Sequence, residues 1–294
     1  MMTLLAIDLL EPLQYGFMVQ MLILAALIGA VCATLSCFLV LRGWSLMGDA
    51  ISHAVLPGIV LAYVVGLPLT VGAFIAGMFC AAATGWIKAR SAIKEDTVMG
   101  IVFTGLFALG LVLMTLVKSD IHFDHVILGS LLGIEKPQMI QMFITCGLTL
   151  MVVLIKRKDL LLLCFDPAQA KTIGLNTTFL YYLLLTLLAA TTVAALQAVG
   201  IILTVAMLIT PGSIALMWTN RFGRMLWIAV GCAVFSSVLG AYMSYFIDNS
   251  TAGFIVLIQS ILFAITVVIA PQHGLIARWR RVNAMLNQQE LSPR

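Results

Sequence analysis

The sequence predicts an all-α, polytopic membrane protein with about nine transmembrane helices, eight or ten also being compatible with it. Three observations carry this. Apolar residues fill 62% of 294 positions and charged residues 10%, where soluble domains run at roughly 45–50% and about 25%. So few polar groups cannot cover a water-facing surface. Apolar runs long enough for a bilayer, about 20 residues each, recur along the whole chain. The 16 Lys and Arg fall between those runs, as orientation signals do, so the net charge of +4 is no nucleic-acid footprint.

The runs lie at 17–41, 69–88, 97–117, 138–155, 178–197, 198–218, 226–247 and 254–271, with a weaker ninth at 49–67 interrupted by Pro57 and Gly58. Polar clusters separate them at Lys88 to Asp96, Lys156 to Asp159, Thr219 to Arg224 and Asp248 to Thr251. The continuous stretch 178–218 is too long for one span and must turn near Gln197 to Gly200. The first basic residue is Arg42, and Asp8 and Glu11 precede the first run, so that run reads as a retained span, not a cleaved signal. The expected organisation is an external segment 1–16, one transmembrane domain 17–272 with a cytoplasmic segment 156–177, and a cytoplasmic tail 273–294.

Orientation follows from the positive-inside rule. With the tail (Arg278, Arg280, Arg281, Arg294) in the cytoplasm and nine spans, fourteen basic residues are cytoplasmic and only Lys118 and Lys136 are outside. The N-terminus is then external, in a multi-pass protein of a bacterial inner membrane. The six cysteines are scattered without a CxxC pair and read as small buried side chains. The sixteen methionines hold few close pairs (Met18/Met21, Met139/Met142), which argues against a Cu(I) path.

The weak second run carries Gly48-Asp49-Ala50-Ile51-Ser52-His53-Ala54-Val55-Leu56-Pro57-Gly58. Asp49 and His53 are four apart, so on a helix they share one face and can close on one ion. Ionisable groups inside spans are costly and tend to mark pathways. A carboxylate with an imidazole suits borderline divalent cations such as Mn, Fe or Zn. Pro57 frees a backbone carbonyl near His53, and such broken helices are tolerated where they line a cavity. On the residues alone a plainer reading also stands, in which Asp49 caps the helix after Gly48 and hydrogen-bonds His53 at the interface.

Segment 156–177 contains Phe165-Asp166-Pro167-Ala168-Gln169-Ala170-Lys171-Thr172-Ile173-Gly174. Asp166 fits an N-cap, Pro167 the first turn and Gly174 a C-terminal stop, which predicts a short helix on the cytoplasmic face. It is either a docking element or an ordinary connector. The external stretch Asp120-Ile121-His122-Phe123-Asp124-His125 gathers two Asp and two His, although loops of this kind are usually just solvated. His273 reads as interfacial.

The Gly48 to Gly58 block and the run from Phe165-Asp166-Pro167 to Gly174-Leu175, together with Lys94-Glu95-Asp96-Thr97-Val98-Met99-Gly100, Ala195-Leu196-Gln197-Ala198-Val199-Gly200, Ile209-Thr210-Pro211-Gly212 and Ala270-Pro271-Gln272-His273-Gly274, resemble the ABC-3 family, the permeases of manganese, zinc and chelated-iron ABC importers. The likeness spans nearly the whole chain and is greatest to the second permease subunit of enterobacterial chelated-iron/manganese systems. One minor departure is Ser213 after Pro211-Gly212, where the family often has alanine.

The resemblance implies a fold like that of vitamin-B12-type importer permeases, and metal coordination by Asp49 and His53. It implies that Asp166, Pro167, Ala170 and Gly174 belong to a helix docking on a cytoplasmic ABC ATPase. It also implies an extracytoplasmic metal-binding protein and a second permease copy, identical or related, with the path between the two. The expected function is inward transport of divalent transition metals (manganese and/or ferrous iron, with zinc a further candidate) as cargo, with no resident cofactor. The chain lacks a GxxxxGK[ST] loop, HExxH and GxSxG, so it is not expected to be an enzyme. An ion-coupled secondary transporter of divalent cations is the alternative, though the confident spans hold almost none of the carboxylates that coupling usually needs.

Overall fold

The computed structural model describes residues 14–117, 136–247, 250–271, 274–276 and 279. Its helices run in the order α1 (Gly16–Arg42), α2 (Met47–Val65), α3 (Leu69–Arg90), α4 (Glu95–Leu116), α5 (Lys136–Ile155), α6 (Arg157–Phe165), α7 (Pro167–Thr172), α8 (Thr177–Trp218), α9 (Phe222–Ile247) and α10 (Thr251–Ile269). Eight of these are long and apolar enough to cross a membrane.

One of the eight is long enough to cross twice. At about 1.5 Å per residue, 42 residues of straight helix would reach about 63 Å, twice the roughly 30 Å hydrocarbon core. Gly200 breaks α8 with φ 78° and ψ 177°, a backbone region that only glycine enters without strain. The Thr204 hydroxyl donates to the Gly200 carbonyl at 2.7 Å, tying the next turn to the break. Both ends of α8 lie at the same end of α1. Tyr181, near its start, meets Trp44 edge-on with ring centroids 5.3 Å apart. Phe222, just past its end, packs on Phe38 at 5.0 Å. The chain therefore doubles back at Gly200, where the turn was expected, and the described helices supply nine segments of membrane-spanning length.

The centre of the bundle is α1 against α8 and α9, with α2 against α3 and α4 beside it. Leu35, Phe38 and Leu39 of α1 are fully buried there. By contrast α4 and α10 turn most of their surface outward, which suits lipid or a partner subunit.

The second span is where expectation and structure part. Pro57 does not break it: α2 runs on as one helix from Met47 to Val65 with Pro57 inside. Gly58 sits against Gly72 of α3, and Gly110 of α4 packs on Leu56 and Pro57, so neighbours on two sides hold the helix through its missing donor. The block at Pro211-Gly212 works similarly. Ser36 of α1 accepts from the Gly212 amide at 3.0 Å and its hydroxyl reaches the Ile209 carbonyl at 3.3 Å, pinning the second half of α8 onto α1. All six cysteines are free and five are buried.

Candidate metal site on α2

From Met47 to Val60 every residue of α2 is buried except Asp49 and His53. Their side chains keep 32% and 31% of their exposure, and His53 Nε2 lies 3.3 Å from Asp49 Oδ1. The two ionisable groups are thus the only openings in an otherwise covered stretch. Asp49 falls inside the first turn, and the α2 N-terminus has no side-chain cap. Asp49 makes no cap, and its carboxylate turns along the helix to the imidazole, a contact that the plainer reading also expects. It also stands where the helix dipole favours a negative charge. Ser52 is occupied locally, donating to the Gly48 carbonyl at 2.8 Å. Pro57 has no N–H to offer the carbonyl of His53, four residues back.

Two aromatic side chains of α4 hold the imidazole. Phe103 stacks on it at 6.0 Å and 27°, and Phe107 meets it edge-on at 5.3 Å and 82°. Beside His53 lies a cavity of about 20 Å³ lined by Ser52, Leu56, Phe107, Leu196 and Ile201, large enough for one water-sized body. Leu196 and Ile201 flank the Gly200 break, so the reversal of α8 closes this side. Sequence reasoning missed both phenylalanines. Their i, i+4 spacing on α4 was visible, but nothing in the chain ties them to α2 until α4 packs there.

Among the described residues no three His, Cys, Asp or Glu gather. Asp49 and His53 are the two such groups that meet on α2, so an ion held between them would need its remaining positions from water, backbone or a second subunit. The Asp120 to His125 stretch and His273 lie outside the described residues.

The expected short helix is present as α7. Asp166 Oδ1 accepts from the Ala168 and Gln169 amides at 3.0 and 2.9 Å, and Pro167 holds the first helical position. Gly174 ends it with φ 88°, its amide bonding to Lys171 O and that of Leu175 to Ala170 O, both at 3.1 Å. This paired closure needs a left-handed residue. Ala170 is fully buried beneath the helix, while Phe165 and Ile173 project outward, each 64% exposed. Helix α6 was not foreseen. It tucks Leu160, Leu163 and Cys164 against the bundle, and burial pushes the Cys164 thiol up to about 11 although Arg42 pulls the other way.

Similarity to known proteins decides the class. The chain matches the ABC 3 transport family over residues 14–270. The chain belongs to that family. It is 52% identical over 274 residues to the manganese transport system membrane protein MntB of Synechocystis, covering 93% of this chain and 90% of the relative. To the chelated iron transport system membrane protein YfeD of Yersinia pestis it is 54% identical over 258 residues, or 88% and 87% of the two chains. Its fold superposes on PsaBC from Streptococcus pneumoniae, solved in complex with Fab, with TM-score 0.82 and 36% identity over 94% of this chain and 99% of that one.

This ABC 3 permease is therefore the membrane subunit of an ATP-driven transporter and not itself the ATPase, which sets aside the secondary-transporter alternative. As an ABC permease it works with ATPase and binding-protein partners.

Proposed function

We propose that this permease carries Mn(II) or Fe(II) inward, with Zn(II) a further candidate, and that Asp49 and His53 are the ligands the ion meets on α2. The observation that carries the reading is the pattern of burial: the only two residues of Met47 to Val60 left uncovered are the carboxylate and the imidazole. Facing lipid, such a pair would be costly. Facing a hydrated path shared with a second permease copy, identical or related, it is a weak open site from which an ion can leave. The manganese and iron systems to which the relatives belong support the choice of metal.

The same reading sets the orientation. Of the Lys and Arg among the described residues, Arg42, Lys88, Arg90, Lys94, Lys156, Arg157, Lys158, Lys171, Arg221 and Arg224 stand at the Arg42 end of the bundle and only Lys136 at the other. The positive-inside rule puts the Arg42 end in the cytoplasm, with the N-terminus outside and the C-terminus inside. Segment 156–177 then meets a cytoplasmic ABC ATPase, with Asp166, Pro167, Ala170 and Gly174 shaping the docking helix. An extracytoplasmic metal-binding protein delivers the ion at the opposite end.

The test is uptake of radioactive manganese and of iron, each competed by the other and by zinc. Cells would express the full system with and without this subunit. Subunit-dependent uptake of manganese or iron is expected; absence of both, with zinc alone carried, would overturn the choice of metal.

A further inference from the structure

The joint between α1 and α2 touches the chain on both sides of the candidate docking helix α7. Arg42, the last residue of α1, donates from Nη1 to the Leu163 carbonyl at 3.0 Å, across 121 residues of chain. That carbonyl belongs to the last turn of α6, where the helix offers no partner of its own. The same guanidinium lies over the Trp44 ring, 5.4 Å from its centroid. Trp44 is 1% exposed, and its ring meets Tyr181 in the first turns of α8. Helix α7 thus lies between two held points, Leu163 before it and Tyr181 after it, fixed by two residues that are themselves two apart.

The joint itself is short and rigid. Gly43 closes α1, the Trp44 amide bonds back to the Leu39 carbonyl at 2.8 Å, and the Met47 amide to the Trp44 carbonyl at 3.0 Å. Helix α2 begins at once, with Asp49 two residues further and His53 one turn beyond. Glu95, the first residue of α4, lies within the field of Arg42 and Lys88, so the helix that carries Phe103 and Phe107 starts at the same place.

We propose that the joint from Arg42 to Leu46 is the link that passes movement of the docking segment to the Asp49–His53 helix, with Arg42 as its positioning residue. A shift of α6 pulls on Arg42 through Leu163. A shift of the α8 start pushes on Trp44 through Tyr181. Either displaces the α2 N-terminus, because only Ser45 and Leu46 lie between Trp44 and the helix. This rests on the reading of α7 as the ATPase dock.

The experiment is metal transported per ATP hydrolysed, measured in proteoliposomes holding the complete transporter with its ATPase and binding protein. Wild type, Arg42→Ala, Trp44→Phe and Asp166→Arg are compared. Trp44→Phe keeps a ring in the buried position and serves if the alanine variant fails to assemble. A purely structural defect lowers uptake and hydrolysis together and leaves their ratio alone. The linkage expects hydrolysis to persist while the ratio falls at least fivefold in Arg42→Ala and at least twofold in Trp44→Phe.

A wild-type ratio in the Arg42 and Trp44 variants, with a lost ratio in Asp166→Arg, overturns the linkage and leaves the docking reading intact. A wild-type ratio in Asp166→Arg overturns the docking reading and the linkage with it.

Discussion

Gly58 on α2 and Gly72 on α3 face each other so closely that a Cβ on either would run into the other's carbonyl oxygen. Small residues allow this approach between membrane helices, where packing rather than water exclusion drives association. It has a consequence for the site. With α3 drawn against one side of α2 and α4 against another, Asp49 and His53 are the only residues between Met47 and Val60 left partly uncovered.

Gly58→Ala should therefore push α2 from α3 and cost about 1–3 kcal/mol, the usual range for overpacking. Thermal unfolding in detergent should show the loss, and metal uptake should fall with it. A variant as stable as wild type would mean that the two helices part without cost.

Cysteines placed at Leu67, between α2 and α3, and at Ile93, between α3 and α4, report orientation. Both residues are exposed, at 50% and 45%. Leu67→Cys should react with an impermeant thiol reagent added outside intact spheroplasts, and Ile93→Cys only after the membrane is opened. The background should be low, because five native thiols are buried and the shift that burial imposes on Cys164 leaves little reactive thiolate at neutral pH. Labelling of Ile93→Cys from outside would invert the orientation.

The proposed docking segment gives a third outcome. Asp166→Ala removes the acceptor for two amides at the start of α7 and should cost about 1 kcal/mol locally. Gly174→Val forces a branched residue into a left-handed turn. Both variants should insert normally yet lose stimulation of ATPase activity by the binding protein. Full stimulation in both would make α7 a simple connector.

How much of this was legible in the sequence depended on how local the cause was. The ends of α7 could be read in advance because Asp166, Pro167 and Gly174 act on backbone groups within three residues. The turn at Gly200 was legible because span length alone required it. The shared face of Asp49 and His53 followed from helical period. The path of α2 through Pro57 was not legible, since proline's effect depends on whether neighbours hold the helix, and Gly72 and Gly110 do so from other spans. Helix α6 was hidden for a similar reason. Its polar start at Arg157 to Asp159 reads as a loop, and only burial of Leu160 and Leu163 against the bundle makes it a helix. Phe103, Phe107 and Arg42 act across chain separations that no local pattern reports.

The Asp49–His53 pair yields the most direct test. Asp49→Ala and His53→Ala should each lower manganese and iron uptake at least tenfold, with assembly unchanged, because each removes one of the two proposed ligands. Asp49→Asn keeps the shape of the side chain and its place in the first turn of α2 but loses the charge that offsets the dication's desolvation. It should resemble alanine, not wild type. His53→Cys replaces a borderline ligand by a softer one and should shift competition toward zinc. Phe107→Leu leaves both ligands but removes the edge contact that fixes the imidazole, so it should raise the half-saturating metal concentration more than it lowers the maximal rate. The measurement is initial uptake of radioactive manganese at sub-micromolar concentration in the complete system. If Asp49→Asn transports like wild type there, the negative charge is not needed on the path, and the ion does not pass through this pair.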